Sequence, residues 1–253
     1  MSRWLRIDLH IHSALSACAL PEMTPNNIVN MASVLGLDVI AVTDHHAAAN
    51  VLPILDLAQQ AGIICIPGIE VQSREDVHLL CYFQTYQPLR AFTDFVTSLL
   101  DPQIQLPKNL GKQLIFDETD TIIGEESRFL HQSIPLSTEE LWRVAESFGA
   151  CCLPAHIDRP AFGILSQLGF IPPSLPVKVV EVTMGQLARP SKHLPLDGMA
   201  VITASDAHSL EQMVTPGHSQ LHPSLNSVTR IWQWLRNPQI DLLRSFQSEL
   251  EDQ

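Results

Sequence analysis

The sequence is short of basic residues: 15 Lys and Arg stand against 27 Asp and Glu, a formal charge of -12 at pH 7. Nucleic acid recruits Lys and Arg to neutralise its phosphates, and no basic, aromatic-interleaved stretch supplies them, which argues against long nucleic-acid partners. A small anionic substrate remains compatible with this charge, because bound divalent cations reverse the local sign of a site. No apolar run approaches the roughly 20 residues of a membrane span, so no membrane association is expected. Met1-Ser2-Arg3-Trp4 leads into a strand without a signal-peptide core, and the expected location is cytoplasmic. Cysteine is sparse and odd in number: Cys18, Cys65, Cys81, Cys151 and Cys152 are scattered, as free thiols of a reducing compartment are. Internal repeats and low-complexity linkers are lacking too. What is present, 253 residues of which 45% are hydrophobic and 17% charged, fits one domain over 1–253.

Short apolar strands alternate with capped helices. After a strand over 3–9, Thr24-Pro25 and Gly36 bracket a helix over 25–35. A strand over 38–42, a helix over 51–61 ended by Gly62, and strands over 63–66 and 77–83 follow, the sequence form of parallel βα units. The rhythm breaks over about 85–137, read as an insertion or cap with a helix over 91–100 and a hairpin around Asp117-Glu118-Thr119-Asp120. It resumes with the capping box Ser137-Thr138-Glu139-Glu140, strands over 150–153, 178–183 and 200–203, and a helix over 161–168. A helical tail over about 225–253 is expected to hold two amphipathic helices, 227–236 and 240–251.

The residues with metal-binding side chains are placed regularly. Strict alternation puts Asp8, His10 and His12 on one face as the first strand ends. His45, Glu70, His156 and the pair Asp206 and His208 each follow an apolar strand within a few residues, and His78 lies inside one. Singly, each has a bland reading: His45 as a helix cap, Glu70 as a surface carboxylate, His78 as a core histidine. Jointly, six of eleven histidines fall where the C-terminal strand ends of a parallel barrel would meet, which points to a metal site. Asp44 and His46 flank a ligand position and read, with Asp8, as orienting groups. His193, His218 and His222 fall in proline-containing loops and are expected to face solvent, with His193 and Arg189 as lesser substrate-holding candidates.

Asp8-Leu9-His10-Ile11-His12-Ser13, Thr43-Asp44-His45, Gly68-Ile69-Glu70, Ala155-His156 and Ser205-Asp206-Ala207-His208, in this order, resemble the motifs of the PHP (polymerase and histidinol phosphatase) family. The resemblance implies an α/β fold, a distorted seven-stranded (β/α) barrel with a mid-chain insertion, up to three divalent metals (zinc, manganese or iron), and phosphoester hydrolysis. Carried over by position, it implies one metal held by His10, His12, Glu70 and Asp206, and a second by Glu70, His78 and His156, with Glu70 bridging. His45 and His208 would serve a third. Many family members carry a His or Asp five residues after the second His of the first motif, where this chain has Ala17. Cys18 beside it is either a soft third-metal ligand, favouring zinc or iron, or a buried thiol without a ligand role.

Two metals bridged by a carboxylate generate hydroxide at neutral pH and polarise a phosphoryl oxygen for in-line attack, so the expected nucleophile is a bridging hydroxide. Arg159, in His156-Ile157-Asp158-Arg159-Pro160, is the basic side chain placed for a bidentate phosphate contact; its alternative is an ion pair with Asp158. Asp206, His208 and Arg159 are therefore the catalytic candidates, with His208 or His45 able to protonate a leaving alkoxide if the third metal is absent. The leading expectation is a hydrolase acting on a phosphomonoester of a small metabolite or nucleotide and releasing inorganic phosphate. The alternatives are a 3'-5' nuclease or phosphodiesterase, a non-catalytic metal-binding scaffold, and an amidohydrolase-like enzyme.

Overall fold

The computed structural model describes residues 3–183, 196, 198–214 and 217–244. β1 (Leu5–Ile11) lies in the middle of a five-stranded sheet, with β2 (Val39–Val42) and β3 (Ile64–Cys65) parallel to it on one side. α1 (Pro25–Leu35) and α2 (Val51–Ala61) make the crossovers between these strands. Their ends are set as the sequence predicts: the Thr24 hydroxyl accepts from Asn27 N, Pro25 opens α1, and Gly36 closes it at φ 65°, a left-handed turn that costs glycine little.

β4 (Gly68–Gln72) and β5 (His78–Tyr82) form a three-stranded sheet with β8 (Cys151–Pro154). Here the expectation of an all-parallel sheet is corrected, because β5 runs antiparallel to both neighbours. Reversal brings the start of β5, not its end, to the face where the parallel strands finish, so His78 reaches that face from the first position of its strand. β9 (Val179–Glu181) and β10 (Ala200–Ile202) pair in parallel. Single backbone contacts join the sheet edges: His45 bridges Glu70, Ile157 N donates to Glu181 O at 2.9 Å, and Ile11 bridges Ala207. At the first junction a Cβ on Gly68 would lie 2.8 Å from Thr43 Cγ2, so only glycine lets β4 approach the end of β2 this closely.

The inserted segment packs as part of the main body. α3 (Tyr86–Ser98) begins earlier than expected and buries Leu89, Phe92 and Val96 in the largest apolar cluster. The hairpin of β6 (Leu114–Phe116) and β7 (Ile122–Glu125) is fastened by Asn50, which donates to Leu114 O and accepts from Phe116 N. α4 (Thr138–Ser147) carries the full capping box, Ser137 and Glu140 each satisfying the other's backbone. α5 is confined to Ile164–Leu168, shorter than the sequence suggests, and is followed by a short helix α6 (Leu210–Met213) after β10.

In the tail, α7 (Val228–Arg236) forms and buries Ile231, Trp234 and Leu235. The second amphipathic helix does not start at 240: Ile240–Leu242 is a 3-10 turn, and β12 (Leu243–Arg244) pairs with β11 (Gln220–Leu221), whose other edge pairs with β1. An open sheet edge offers the backbone a ladder that competes with a helix here. Residues 245–253, like Arg189 and His193, lie outside the described part. No helix among the described residues is long and apolar enough to cross a membrane.

Candidate metal centre

β1 ends with a register shift: Asp8 pairs with Ile40 but Ile11 with Val42, one residue out of step. An extra residue in one strand re-aims the side chains beyond it. Ile7 and Leu9 accordingly pack into one apolar cluster and Ile11 into another. The expectation that Asp8 shares the face of His10 and His12 is modified for the same reason. Asp8 accepts from Ser205 N at 3.0 Å and pairs with His218 Nε2 at 3.1 Å, fastening the loop before Asp206 to β1. His218, expected in solvent, is thus 7% exposed and part of this brace.

His10 and His12 turn the same ring nitrogen inward. His10 Nδ1 donates to Glu181 Oε2 at 2.9 Å. His12 Nδ1 faces Ser16 Oγ at 3.0 Å, and because that hydroxyl gives its one proton to Asp44 Oδ1 at 2.7 Å, the imidazole is the donor. In the neutral rings both Nε2 atoms therefore carry lone pairs, 3.1 Å apart. Asp206 Oδ1 is 3.2 Å from each, and Glu70 adds Oε1 at 3.3 Å from His10 and Oε2 at 3.6 Å from His12. Four acceptors converging on one buried point repel one another unless a proton or cation lies between them.

Glu70, in the middle of β4 and 1% exposed, gathers the remaining imidazoles. Its Oε1 is 2.8 Å from His78 Nδ1 and 3.4 Å from His156 Nε2, and its Oε2 is 2.9 Å from His45 Nδ1. Burial pushes the Glu70 carboxyl up, but the imidazoles of His78 and His10 outweigh it and hold the group well below the usual carboxylate range. Asp206 is likewise pushed up by burial and held low by His10 and His12. Burial lowers His10, yet Glu181, Asp206 and Glu70 override it and raise the ring well above its ordinary value. His12, with burial and the nearby His208 and His45 acting together, is held well below.

His45 Nε2, His78 Nε2 and both ring nitrogens of His156 are buried without a hydrogen-bond partner. Buried polar atoms seldom stay unpaired, and a cluster of them between two carboxylates fits the nitrogen and oxygen donor sets of zinc, iron or manganese. Groups able to hold a metal are His10–His12–Glu70, His45–Glu70–His78, His12–His45–His208 and Cys18–His45–His131, the donor atoms in each lying within 4.8 Å of one another. Strain is concentrated here as well: His46, His156 and Asp206 have φ of 51°, 28° and 49°, left-handed values that cost non-glycine residues about 1–3 kcal/mol each.

The flanking residues hold the frame. Asp44 is pushed up to about 7 by burial, against which Ser13 and Ser16 donate hydrogen bonds to it. His46 is lowered to about 3 by burial; its Nδ1 donates to Leu130 O and its Nε2 accepts from Gln72 N, so both nitrogens are committed and neither is free for a metal. His208 hydrogen-bonds the Asp206 carbonyl through Nδ1 and stacks on His12 at 4.2 Å. Arg159 Nη1 reaches Asp206 Oδ2 at 2.5 Å, whereas Asp158 turns away to bind Thr183.

Three contributors escape a reading of the sequence. Glu181 ends β9 as Glu70 occupies β4, and a carboxylate closing an apolar run is the signal it offers. Glu181→Gln is expected to weaken metal binding by about 10–100-fold while the protein stays folded, because the carboxylate orients His10; metal affinity by titration calorimetry checks it. His131 and Phe162 come from irregular stretches several residues beyond the nearest strand, yet their rings stack on His45 at 4.1 Å and His78 at 4.4 Å.

The model of the PHP domain matches residues 8–162. No curated protein matches the chain. Among solved structures, the lesion-specific endonuclease PfuEndoQ from Pyrococcus furiosus is similar at 18% identity and a TM-score of 0.64, covering 96% of this chain and 58% of that one. A two-domain protein from Bacteroides vulgatus containing a predicted PHP-like metal-dependent phosphoesterase is similar at 18% identity and TM-score 0.54, over 96% of this chain and 65% of that one. An amidohydrolase from Chromobacterium violaceum with bound sulfate is similar at 17% identity and TM-score 0.56, over 81% of this chain and 88% of that one. The chain thus spans less than two thirds of the first two, and at these identities the likeness is one of fold.

Proposed function

The chain belongs to the PHP domain family, and from that premise we propose that it is a metal-dependent phosphoesterase cleaving a phosphomonoester of a small metabolite or nucleotide. The observation that carries this reading is the convergence of His10 Nε2, His12 Nε2, Asp206 Oδ1 and Glu70 on one buried point, with Arg159 bound to the other oxygen of Asp206. His10, His12, Glu70 and Asp206 would hold one divalent ion, Glu70, His78 and His156 a second, and His45 and His208, with Cys18, a third; zinc, manganese and iron suit these donors. When bound, such ions supply Lewis acidity to a phosphoryl oxygen and lower the pKa of water.

The protein's own groups do the rest. Arg159, 42% exposed at its side chain, has guanidinium donors beyond the one on Asp206 to meet the non-bridging oxygens of a phosphoryl group. As water adds to phosphorus and the P–O bond to the leaving group breaks, His208, whose Nδ1 is anchored on Asp206 O, can deliver a proton to the departing alkoxide from Nε2 when no third ion occupies that nitrogen. Glu181, Ser16 and Asp44 keep His10 and His12 in the tautomer that turns Nε2 inward. We also read β1, β2, β4, β5, β8, β9 and β10 as the seven strands of a distorted barrel, supported by the edge contacts between the sheets. The five free thiols suit the cytoplasm.

A phosphodiester substrate is the second reading, favoured by the fold shared with a lesion-specific endonuclease over 96% of this chain and opposed by the charge of -12. The deciding experiment is phosphate release from a panel of phosphomonoesters and nucleotides by zinc- or manganese-loaded protein, beside His10→Ala. Metal-dependent release that His10→Ala abolishes is the expected outcome. Shortening of single-stranded oligonucleotides without release from any monoester would replace the first reading with the second.

A further inference from the structure

Cys18 differs from the other four cysteines. Cys65, Cys81, Cys151 and Cys152 are buried in the three apolar clusters, whereas Cys18 is half-buried and belongs to none of them. Its sulfur lies instead with ring nitrogens of His45 and His131, all within 4.8 Å of one another. Nε2 of His45, a residue only 3% exposed, and Nε2 of His131 are both buried without a partner. A thiol beside two imidazoles, each with an unpaired buried nitrogen, is a donor set, not a packing arrangement.

The segment carrying His131 is held on both sides. Leu130 N donates to Gln113 Oε1 at 2.9 Å and Leu130 O accepts from His46 at 2.6 Å, while Gln132 Nε2 binds Phe129 O and Ile134 N reaches Gln72 O. On the other side of the cluster, Ala17 O accepts from Gly111 N, again a residue of the inserted segment. The backbone thus presents Cys18 and His131 to each other across the entrance of His45, without a large movement needed to bring them together. A tetrahedral zinc would draw the donor atoms closer by roughly 1 Å, within reach of side-chain rotation.

We infer that Cys18, His45 and His131 form a thiolate–imidazole site for a soft divalent transition metal, zinc or iron(II), and that His131 thereby ties the inserted segment to the metal centre. The inference rests on the metal-dependent reading above and deepens it: the third position takes a ligand from the insertion. One thiolate among imidazoles selects zinc, iron or cobalt over magnesium and manganese, and with His208, already assigned to this position, His131 brings its protein ligands to four.

Cobalt(II) titrated into the metal-free full chain tests this without any assay of turnover. Wild-type protein is expected to develop a thiolate-to-cobalt charge-transfer absorption that Cys18→Ser abolishes, while the visible cobalt absorption of the other sites persists and reports that the variant is folded. His131→Ala and His131→Gln are each expected to raise the cobalt concentration needed for that band by about tenfold or more. Absence of the band from wild-type protein, its survival in Cys18→Ser, or its indifference to both His131 variants overturns the inference. Phosphate release that is metal-dependent in a protein lacking the band would leave the phosphoesterase reading standing and remove this one.

Discussion

Glu70→Gln is expected to strip the centre of bound metal and to lower phosphoester turnover by about a thousandfold, the rate equivalent of several kcal/mol of lost charge stabilisation. The amide has the size of the carboxylate but not its charge, and it sets an N–H donor where the carboxylate accepted from an imidazole. Glu70 Oε1 faces His78 Nδ1 at 2.8 Å and Oε2 faces His45 Nδ1 at 2.9 Å, so whichever way the amide is turned, one imidazole meets an N–H where it had an acceptor. Leaving a buried group unsatisfied in this way costs about 1–3 kcal/mol, which a marginally stable protein can survive. Metal content by mass spectrometry, circular dichroism and phosphate release together check the expectation. A folded variant that keeps both its metal and its turnover would show that Glu70 bridges nothing.

Arg159→Ala carries the second large effect, and it separates two chemistries that one fold can serve. Loss of a preorganised donor to the developing charge of a phosphoryl group lowers turnover by about 10²–10³. Arg159→Lys should recover only part of this, since a lysine restores the charge but not the planar pair of donors. Hydrolysis of a carboxamide does not call on that contact, so an amide-cleaving enzyme would lose little by the same change. Because Arg159 also holds Asp206 Oδ2, metal content must be followed in parallel. The expected pattern is unchanged metal stoichiometry with phosphate, as product inhibitor, bound at least about tenfold more weakly. Equal losses on phosphoesters and amides, or inhibition by phosphate as in the wild type, would argue that Arg159 only steadies Asp206.

How far the sequence could be read depends on whether a feature is local. Thr24, Pro25 and Gly36 bound α1, and Ser137 with Glu140 begins α4, because a cap is decided by residues within a turn of each other. Glu70, His45, His156, Asp206 and His208 were visible as polar residues that end or follow short apolar runs, and the structure brings them together with His10, His12 and His78. Asp8 lies off the face that strict alternation assigns it because alternation fails at a register shift, which depends on how β2 pairs and not on β1 itself. His218 is buried where its proline-containing loop suggests solvent because its partner, Asp8, lies 210 residues away. His131 had no local signal at all: it is positioned by Gln113, His46 and Gln72, none of them near it in sequence. The tail shows the opposite failure, a helical pattern overruled when the edge of β11 offered 243–244 a strand to pair with.

The left-handed backbones of His46, His156 and Asp206 bear on how such a chain can change. Glycine at His156 would relieve local strain and release no hydrogen bond, so the fold would tolerate the replacement where the chemistry tolerates it least, whereas at His46 it would leave Leu130 O and Gln72 N unpaired. Drift that is screened only for folding would therefore erode the centre first and leave an intact shell. The reverse route is narrower: a shell that has lost these side chains has to accept strain before it regains a use for it.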